Sequence, residues 1–370
     1  MNQTHYLDAN ATQPLRPVAR NALLAAFESV GNPSSIHRQG RGVRHVMEDA
    51  REAIAQCFAA APQDLVFTSG GTEANATAIH AISPGRRLIR SAIEHDAVRS
   101  AAADAHIVPV HPDGIVDLLA LDRQLSDGTA SMLCLMLANN ETGVIQPVAQ
   151  AAAICRRHGA WLHVDAVQAA GRMPVQLGAL GAQSLAISSH KLGGPAGVGA
   201  LLLAPDVAFA APLIAGGGQE RGRRGGTPAV ALIAGFAAAA EACSADDLAN
   251  LGRLRDAAEA AALACGAVVC GNREQRLPNT TCIALPGAAA DVQVIALDLE
   301  GIAVSAGAAC SSGKVQTSHV LQAMGLGRLA GEAIRVSLPW NAAQSDIDAF
   351  AAAYRRVAAR LRPTLAPHAA

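Results

Sequence analysis

The sequence predicts an α/β protein: a large domain built on a mainly parallel sheet, plus a second, smaller α+β domain. Three observations lead there. Between Leu65 and Leu203 short apolar runs alternate with helix-length stretches, the pattern of strand–helix–strand units with parallel strands. Most of those runs end in a polar cluster, placed where open sheets present their ligand edge. From Asp246 onward the texture changes to a long helix and then short strands separated by helices.

Composition bounds the function classes. A chain of 370 residues can bury a large core, and 51% apolar with 16% charged residues describes a globular protein. A formal net charge of −1 argues against nucleic acid or an anionic membrane as the main partner. No signal peptide is visible from Met1 to Tyr6, so a cytoplasmic location is expected. The apolar stretch Ala229 to Ala240 is too short to span a bilayer and reads as a buried helix. The 8 cysteines include no Cys-x-x-Cys pair, which points to reduced core thiols rather than structural zinc, and no metal site is expected.

Tyr6 to Thr12 leads through Pro14 and Pro17 into a helix from about Val18 to Phe27, and Gly31 to Ser35 forms a polar turn before a charged helix of roughly Gly40 to Ala59. Leu65 to Thr68 is a buried strand followed by Ser69-Gly70-Gly71-Thr72 and an alanine-rich helix. Unpaired first amides, the helix dipole and the glycines make that turn a ready anion site, although an ordinary capped helix start looks the same. It matches neither the Walker pattern nor the dinucleotide fingerprint. Arg87 to Arg90 is a strand that delivers His95, which as a lone histidine fits a cap or a core position as well as a catalyst. After a strand at His106 to Val110 and a helix at Leu118 to Leu125, the strand Ser131 to Leu137 ends in Asn139-Asn140-Glu141-Thr142-Gly143, either a ligand edge or an asparagine-rich turn.

A helix from Val148 to His158 precedes the strand at Trp161, which closes on Asp165 and Gln168; a carboxylate there is costly to bury unless it faces a cation. Ser184 to Ser188 then delivers Ser188-Ser189-His190-Lys191 ahead of Gly193-Gly194-Pro195. Of 29 basic residues only Lys191 and Lys314 are lysines, so few amines could form a Schiff base, which arginine cannot. A solvated lysine in a turn is the competing reading of Lys191. The basic, glycine-rich loop Gly216 to Thr227 could hold phosphate or simply be mobile. In the second domain Cys310 sits among small residues in a loop that reads as exposed, unlike Cys134 and Cys155 in apolar runs, and Lys314 would favour its thiolate. Strands are expected at Thr281 to Leu285, Ala303-Val304 and Ile334 to Leu338, the last carrying Arg335 as a bidentate partner for a carboxylate, and a helix over Asp346 to Leu361.

Taken together, the motifs resemble the cysteine desulfurases of the class V aminotransferase family, the NifS-like and IscS-like enzymes. The matches are Leu7-Asp8-x-Asn10-Ala11-Thr12, Gly31-Asn32-Pro33-Ser34-Ser35-x-His37, Thr68 to Asn75, Glu94-His95-x-Ala97-Val98, Asn139 to Gly143, His163-x-Asp165-Ala166-x-Gln168, Ser188-x-His190-Lys191 with Gly194-Pro195, and Gly216 to Thr227. They follow the family's order from Tyr6 to about Ser337.

The resemblance implies a fold-type I enzyme of pyridoxal 5'-phosphate (PLP), a homodimer, with a mainly parallel seven-stranded sheet; we place the large domain at residues 13–245 and the small one at 1–12 and 246–370. It implies that Lys191 carries the cofactor, that Gly71, Thr72, Ser188 and His190 bind its phosphate, and that Thr227 reaches the phosphate of the other subunit. His95 would stack on the ring, Asp165 pair with the pyridine nitrogen, and Asn140 and Gln168 contact the ring and its phenolic oxygen. Arg335, Asn10 and Asn140 would hold the substrate. The implied reaction takes sulfur from L-cysteine as a persulfide on Cys310, leaves alanine, and passes the sulfur to an acceptor protein, with iron–sulfur clusters, tRNA thiolation and other acceptors all open. The chain departs from the family at Ala308, where serine is usual, and at Pro339-Trp340, where glycine-arginine is expected; it also ends at Ala370 without the extended tail of housekeeping members. The competing readings are a selenocysteine lyase or another class V lyase or aminotransferase, and a non-catalytic docking subunit.

Overall fold

A computed structural model describes residues 4–205, 207–271, 275–307 and 317–361. The chain runs through β1 (His5–Tyr6), α1 (Pro17–Phe27), α2 (Arg38–Cys57), β2 (Leu65–Thr68), α3 (Gly71–Ile82), β3 (Arg87–Ser91), α4 (Asp96–Ala101) and β4 (His106–Val108). Then come α5 (Leu118–Leu125), β5 (Ser131–Met136), α6 (Val148–Arg157), β6 (Trp161–Asp165), α7 (Leu177–Leu180), β7 (Ser184–Ser188), β8 (Gly199–Leu203) and α8 (Val230–Glu241). The remainder is α9 (Ala245–Ala264), β9 (Val268–Val269), β10 (Thr280–Ala284), α10 (Ala290–Leu299), β11 (Ile302–Ala303), β12 (Ser305–Ala306), α11 (His319–Ala323), β13 (Ala333–Ser337) and α12 (Gln344–Leu361).

The large sheet has seven strands in the order β2-β8-β7-β6-β5-β3-β4. Every neighbouring pair is parallel except those made by β8, which runs antiparallel to both β2 and β7. The reversal follows from the connection: the short stretch from Ser189 to Val198 carries no crossover helix, which a parallel return would need. β5 is buried along its whole length, and its side chains alternate between faces. Leu133 and Leu135 join Ile54, Leu121 and Phe236 of the helices on one side, while Met132 and Cys134 join Ala78 and Ile82 of α3 on the other. Both faces are therefore covered, as an all-apolar strand requires.

A second sheet, β12-β13-β10-β9, is antiparallel and packs with α9 and α12 around Leu254, Ile283, Phe350 and Tyr354. The strand expected at Ala303-Val304 is two short ones. β11 pairs with β1, and β12 pairs with β13, so residue 5 lies opposite Ile302. The helix expected at Ala229 to Ala240 starts one residue later and buries Ile233, Phe236 and Ala239. Among the described residues no helix is long and apolar enough to cross a membrane.

The loop from Gly216 to Thr227 is pinned rather than loose. Glu220 (φ +47°) and Arg221 (φ +58°) both occupy the left-handed region, which costs a non-glycine residue on the order of 1 kcal/mol or more. What holds them is the Glu220 carboxylate, which accepts from Arg51 Nη1 at 2.9 Å, Arg51 Nη2 at 2.8 Å and the Phe67 amide at 2.9 Å. Both charged side chains are buried, with 7% and 3% exposure, so removing one strands the other. Glu220→Ala is expected to cost about 3–5 kcal/mol, read as a lowered midpoint in chemical denaturation. An unchanged midpoint would show that the loop is held by other contacts.

Candidate active site

The polar clusters that end the strands meet in one cleft. Gly71 and Thr72 after β2, His95 after β3, Asn140 after β5, Asp165 and Gln168 at β6, and Ser188, His190 and Lys191 at β7 line a cavity of about 150 Å³. The strands that supply them run the same way, so their carboxyl ends gather at one edge. At the β2–α3 turn the cap residue is Gly70, and no side chain satisfies the first amides of α3. A β-carbon at Gly71 would stand 2.6 Å from Val167 Cγ2, so only glycine lets the turn approach β6 this closely.

His95 caps α4: its Nδ1 accepts from the Ala97 amide at 3.1 Å, which puts the proton of a neutral ring on Nε2. Asp165 accepts from the Val167 amide at 3.0 Å through Oδ1 and from Asn75 Nδ2 at 2.8 Å through Oδ2. Burial pushes the Asp165 carboxyl upward, opposed by the Val167 amide, the charge of His95 and Asn75. Lys191 donates to the carbonyls of Asn10 and Ala11, the latter at 2.9 Å. Burial first, then the charges of Arg172 and Arg335, lower its amine to about 7, against the pull of Asp8 and Asp165. His190 is lowered to about 4, again by burial and then by Lys191 and Arg172. The amine is therefore partly neutral, and nucleophilic, near pH 7.

Two further candidates, Asn10 and Arg335, lie around the cleft rather than in it. Asn10 borders it: Gln168 Nε2 donates to the Asn10 carbonyl at 3.0 Å, and Asn10 Nδ2 donates to the Asn140 carbonyl at 3.0 Å. Arg335 donates to the same Asn140 carbonyl at 3.0 Å and pairs with Asp8 at 2.7 Å. Thr227 is elsewhere, in a hollow it shares with Phe67, Ser69 and Arg224. Cys310, Lys314 and Ala308 lie outside the described residues. The departure at Trp340 has a local use: its indole donates to the Pro14 carbonyl at 2.8 Å and its ring stacks under Arg16, closing the N-terminal segment against the rest of the chain.

Residues 5–350 match the family model for aminotransferase class V. The chain belongs to the class V aminotransferase family. Within this class V chain's relatives, a cysteine desulfurase of Cereibacter sphaeroides is 43% identical over 93% of this chain and 92% of its own length. An IscS-like cysteine desulfurase of Mycobacterium tuberculosis is 38% identical over 93% of both chains. Among solved structures, a NifS-like protein of Rickettsia africae superposes with a TM-score of 0.88 at 33% identity, covering 96% of this chain and 99% of that one. The fold is thus that of the fold-type I PLP enzymes.

Class V aminotransferases depend on PLP, and the cleft has the donors and orphans to fit it. Ser188 Oγ and Asn140 Oδ1 are buried without a partner, the α3 amides are uncapped, and a buried carboxylate at Asp165 faces the cavity with no cation on it. A phosphate, a phenolic oxygen and a protonated ring nitrogen would complete these groups. Sequence reasoning passed over the support behind Asp165. Asn75 Oδ1 contacts His163 Nε2 at 2.8 Å, and His163 Nδ1 contacts Ser184 Oγ at 2.8 Å, all of it buried. Burial lowers His163 to about 3, so the ring is neutral and serves as a fixed relay of hydrogen bonds. Both residues lie within the family-like motifs, and for His163 a polar side chain inside the run Trp161–Val164 is the available signal. Arg172, which donates to Gln168 Oε1 and to the carbonyls of Ala9 and Lys191, carried no such signal.

Proposed function

We propose that this class V enzyme is a PLP-dependent cysteine desulfurase. It would convert L-cysteine to L-alanine and pass the sulfur, as a persulfide on Cys310, to acceptor proteins. The observation that carries the reading is a near-neutral Lys191 amine facing Asp165 across one cleft, in a chain whose full-length relatives are cysteine desulfurases.

The residues divide the work as follows. Lys191 would hold the cofactor through its amine, with the α3 amides of Gly71 and Thr72, Ser188 and His190 around the phosphate. Asp165 would hold a proton on the ring nitrogen, oriented by Asn75 and Val167, while His95 stacks and Asn140 and Gln168 contact the ring and its phenolic oxygen. PLP supplies an electron sink for the substrate Cα. Arg335 and Asn10 would take the substrate carboxylate, which requires the guanidinium to share or exchange Asp8. Lys191 Nζ would then move the Cα proton. Cys310 Sγ, as thiolate, would bond to the substrate sulfur as the Cβ–S bond breaks, leaving the carbon skeleton as alanine.

Thr227 lies outside its own chain's cleft, which supports a homodimer in which it serves the other subunit's phosphate. We also assign residues 13–245 to a large domain and 1–12 with 246–370 to a small one, and place the enzyme in the cytoplasm.

Sulfide and alanine in equal amounts from L-cysteine would support the reading. A keto acid in place of alanine, or preference for selenocysteine, would move the protein elsewhere in its family. A colourless protein that takes up no PLP would favour a docking subunit. The lowered lysine adds a pH test. Nζ is protonated below about 7, so the rate at which apoprotein takes up PLP should rise with pH around a midpoint near 7. A midpoint near the ordinary lysine value would contradict the geometry around Nζ.

A further inference from the structure

Two of the cysteines that look like core filler stand face to face. The register that pairs Val269 with Ile283 sets Cys270 directly opposite Cys282, and the Cys270 amide donates to the Cys282 carbonyl at 2.9 Å. Directly opposed residues of an antiparallel pair put their side chains on the same face, about 4.5–5.5 Å apart at Cβ, a spacing next to the range a disulfide spans. The two side chains therefore share one face of the sheet, close enough for each thiol to perturb the other's ionisation. Both residues are buried, at 2% and 3% exposure, among Ile93, Met136, Val320 and Met324. They differ in access. Cys270 lines a surface cavity of about 390 Å³ with Pro112, Val268, Leu326 and Leu329, whereas Cys282 lies behind it, opposite Arg335 on β13.

We infer that Cys270 and Cys282 form a reversible disulfide site, loaded through the Cys270 cavity by a low-molecular-weight disulfide. In the first step the Cys270 thiolate attacks one sulfur of the small disulfide, forming a mixed disulfide and releasing one thiol. In the second, the Cys282 thiolate attacks Cys270 Sγ and expels the other thiol. Two protein thiols are oxidised, the small disulfide is reduced to two thiols, and the two protein protons leave with those products. The order of attack agrees with the electrostatics: interaction with Cys282 lowers the Cys270 thiol, while the same interaction and burial raise Cys282. The site uses none of the groups placed around Lys191 and stands independently of the proposed reaction.

The test is peptide mapping without reduction, on full-length holoprotein incubated with oxidised glutathione and then alkylated. The expected product is a Cys270–Cys282 linkage formed in the folded protein and reversed by dithiothreitol. Cys282→Ser should stop the reaction at a glutathione adduct on Cys270, and Cys270→Ser should leave Cys282 unmodified. Should either serine variant fail to fold, the alanine variant takes its place, and the wild-type mapping stands without it. Two free, alkylatable thiols after oxidation, or a linkage that forms only in urea-unfolded protein, would overturn the assignment.

Discussion

Lys191→Ala is expected to lower sulfide release from L-cysteine by at least about 10³-fold and to remove the visible absorbance of covalently held PLP. The loss should be this large because one amine is asked to do two jobs, anchoring the cofactor and moving the substrate Cα proton. No neighbour can substitute. The charged groups that act on it, Arg172 and Arg335, are guanidinium side chains that cannot form the linkage, and the cleft's His95 and His190 carry no primary amine. Lys191→Arg should fail as badly, since it keeps charge but not a neutral amine. That comparison separates nucleophilic loss from electrostatic loss. The variant should still fold: burying a charged amine at Lys191 works against the native state below pH 7. The sign follows from linkage. With the folded value lowered to about 7 from 10.5, the unfolded chain binds the extra proton between those values, so apoprotein stability should rise with pH across that window and the slope should be smaller in Lys191→Ala. Turnover within tenfold of wild type in Lys191→Ala would remove the lysine from the mechanism.

Strand positions were legible because buried parallel strands write themselves as apolar runs closed by turn residues. Leu65–Thr68 and Ser184–Ser188 fall where the pattern puts them. The direction of β8 was not legible, because it depends on how little chain separates it from β7. Nor was the Arg335–Asp8 pair, whose members stand 327 positions apart and meet only once β1, β11 and β13 have assembled. The same holds for Glu220 on Arg51, at 169 positions. Polar partners distant in sequence leave no periodic trace. The cleft residues that end strands could be gathered by topology alone, whereas Cys310 was singled out by the small residues around it and the role of Thr227 rested on resemblance to a family.

Cys310→Ala is expected to abolish sulfur transfer, by at least about 10³-fold, while leaving PLP uptake and its visible band intact. The division is sharp because the thiol and the amine act on different atoms. Lys191 would act at the substrate Cα, and Cys310 would accept the sulfur. The flanks of the cysteine's segment are tethered at the cleft wall. On one side Ser305 Oγ donates to Asp8 at 2.8 Å, the partner of Arg335; on the other Ser318 Oγ donates to Glu141 at 2.6 Å, next to Asn140. Of the other thiols, Cys134, Cys155 and Cys57 are poor replacements. Burial raises Cys134 strongly and pushes Cys155 up to about 12, so neither is a thiolate at neutral pH. Cys57 is exposed, yet partial burial and then Glu241 raise its thiol as well, and Cys57→Ser should transfer sulfur at the wild-type rate. The measurement is label carried from L-cysteine to protein-bound persulfide, with and without added thiol. Protein-bound label persisting in Cys310→Ala but lost in Cys57→Ser would move the acceptor role to Cys57. Full turnover in both would mean that sulfur leaves directly as sulfide, and that the enzyme is a lyase rather than a transferase.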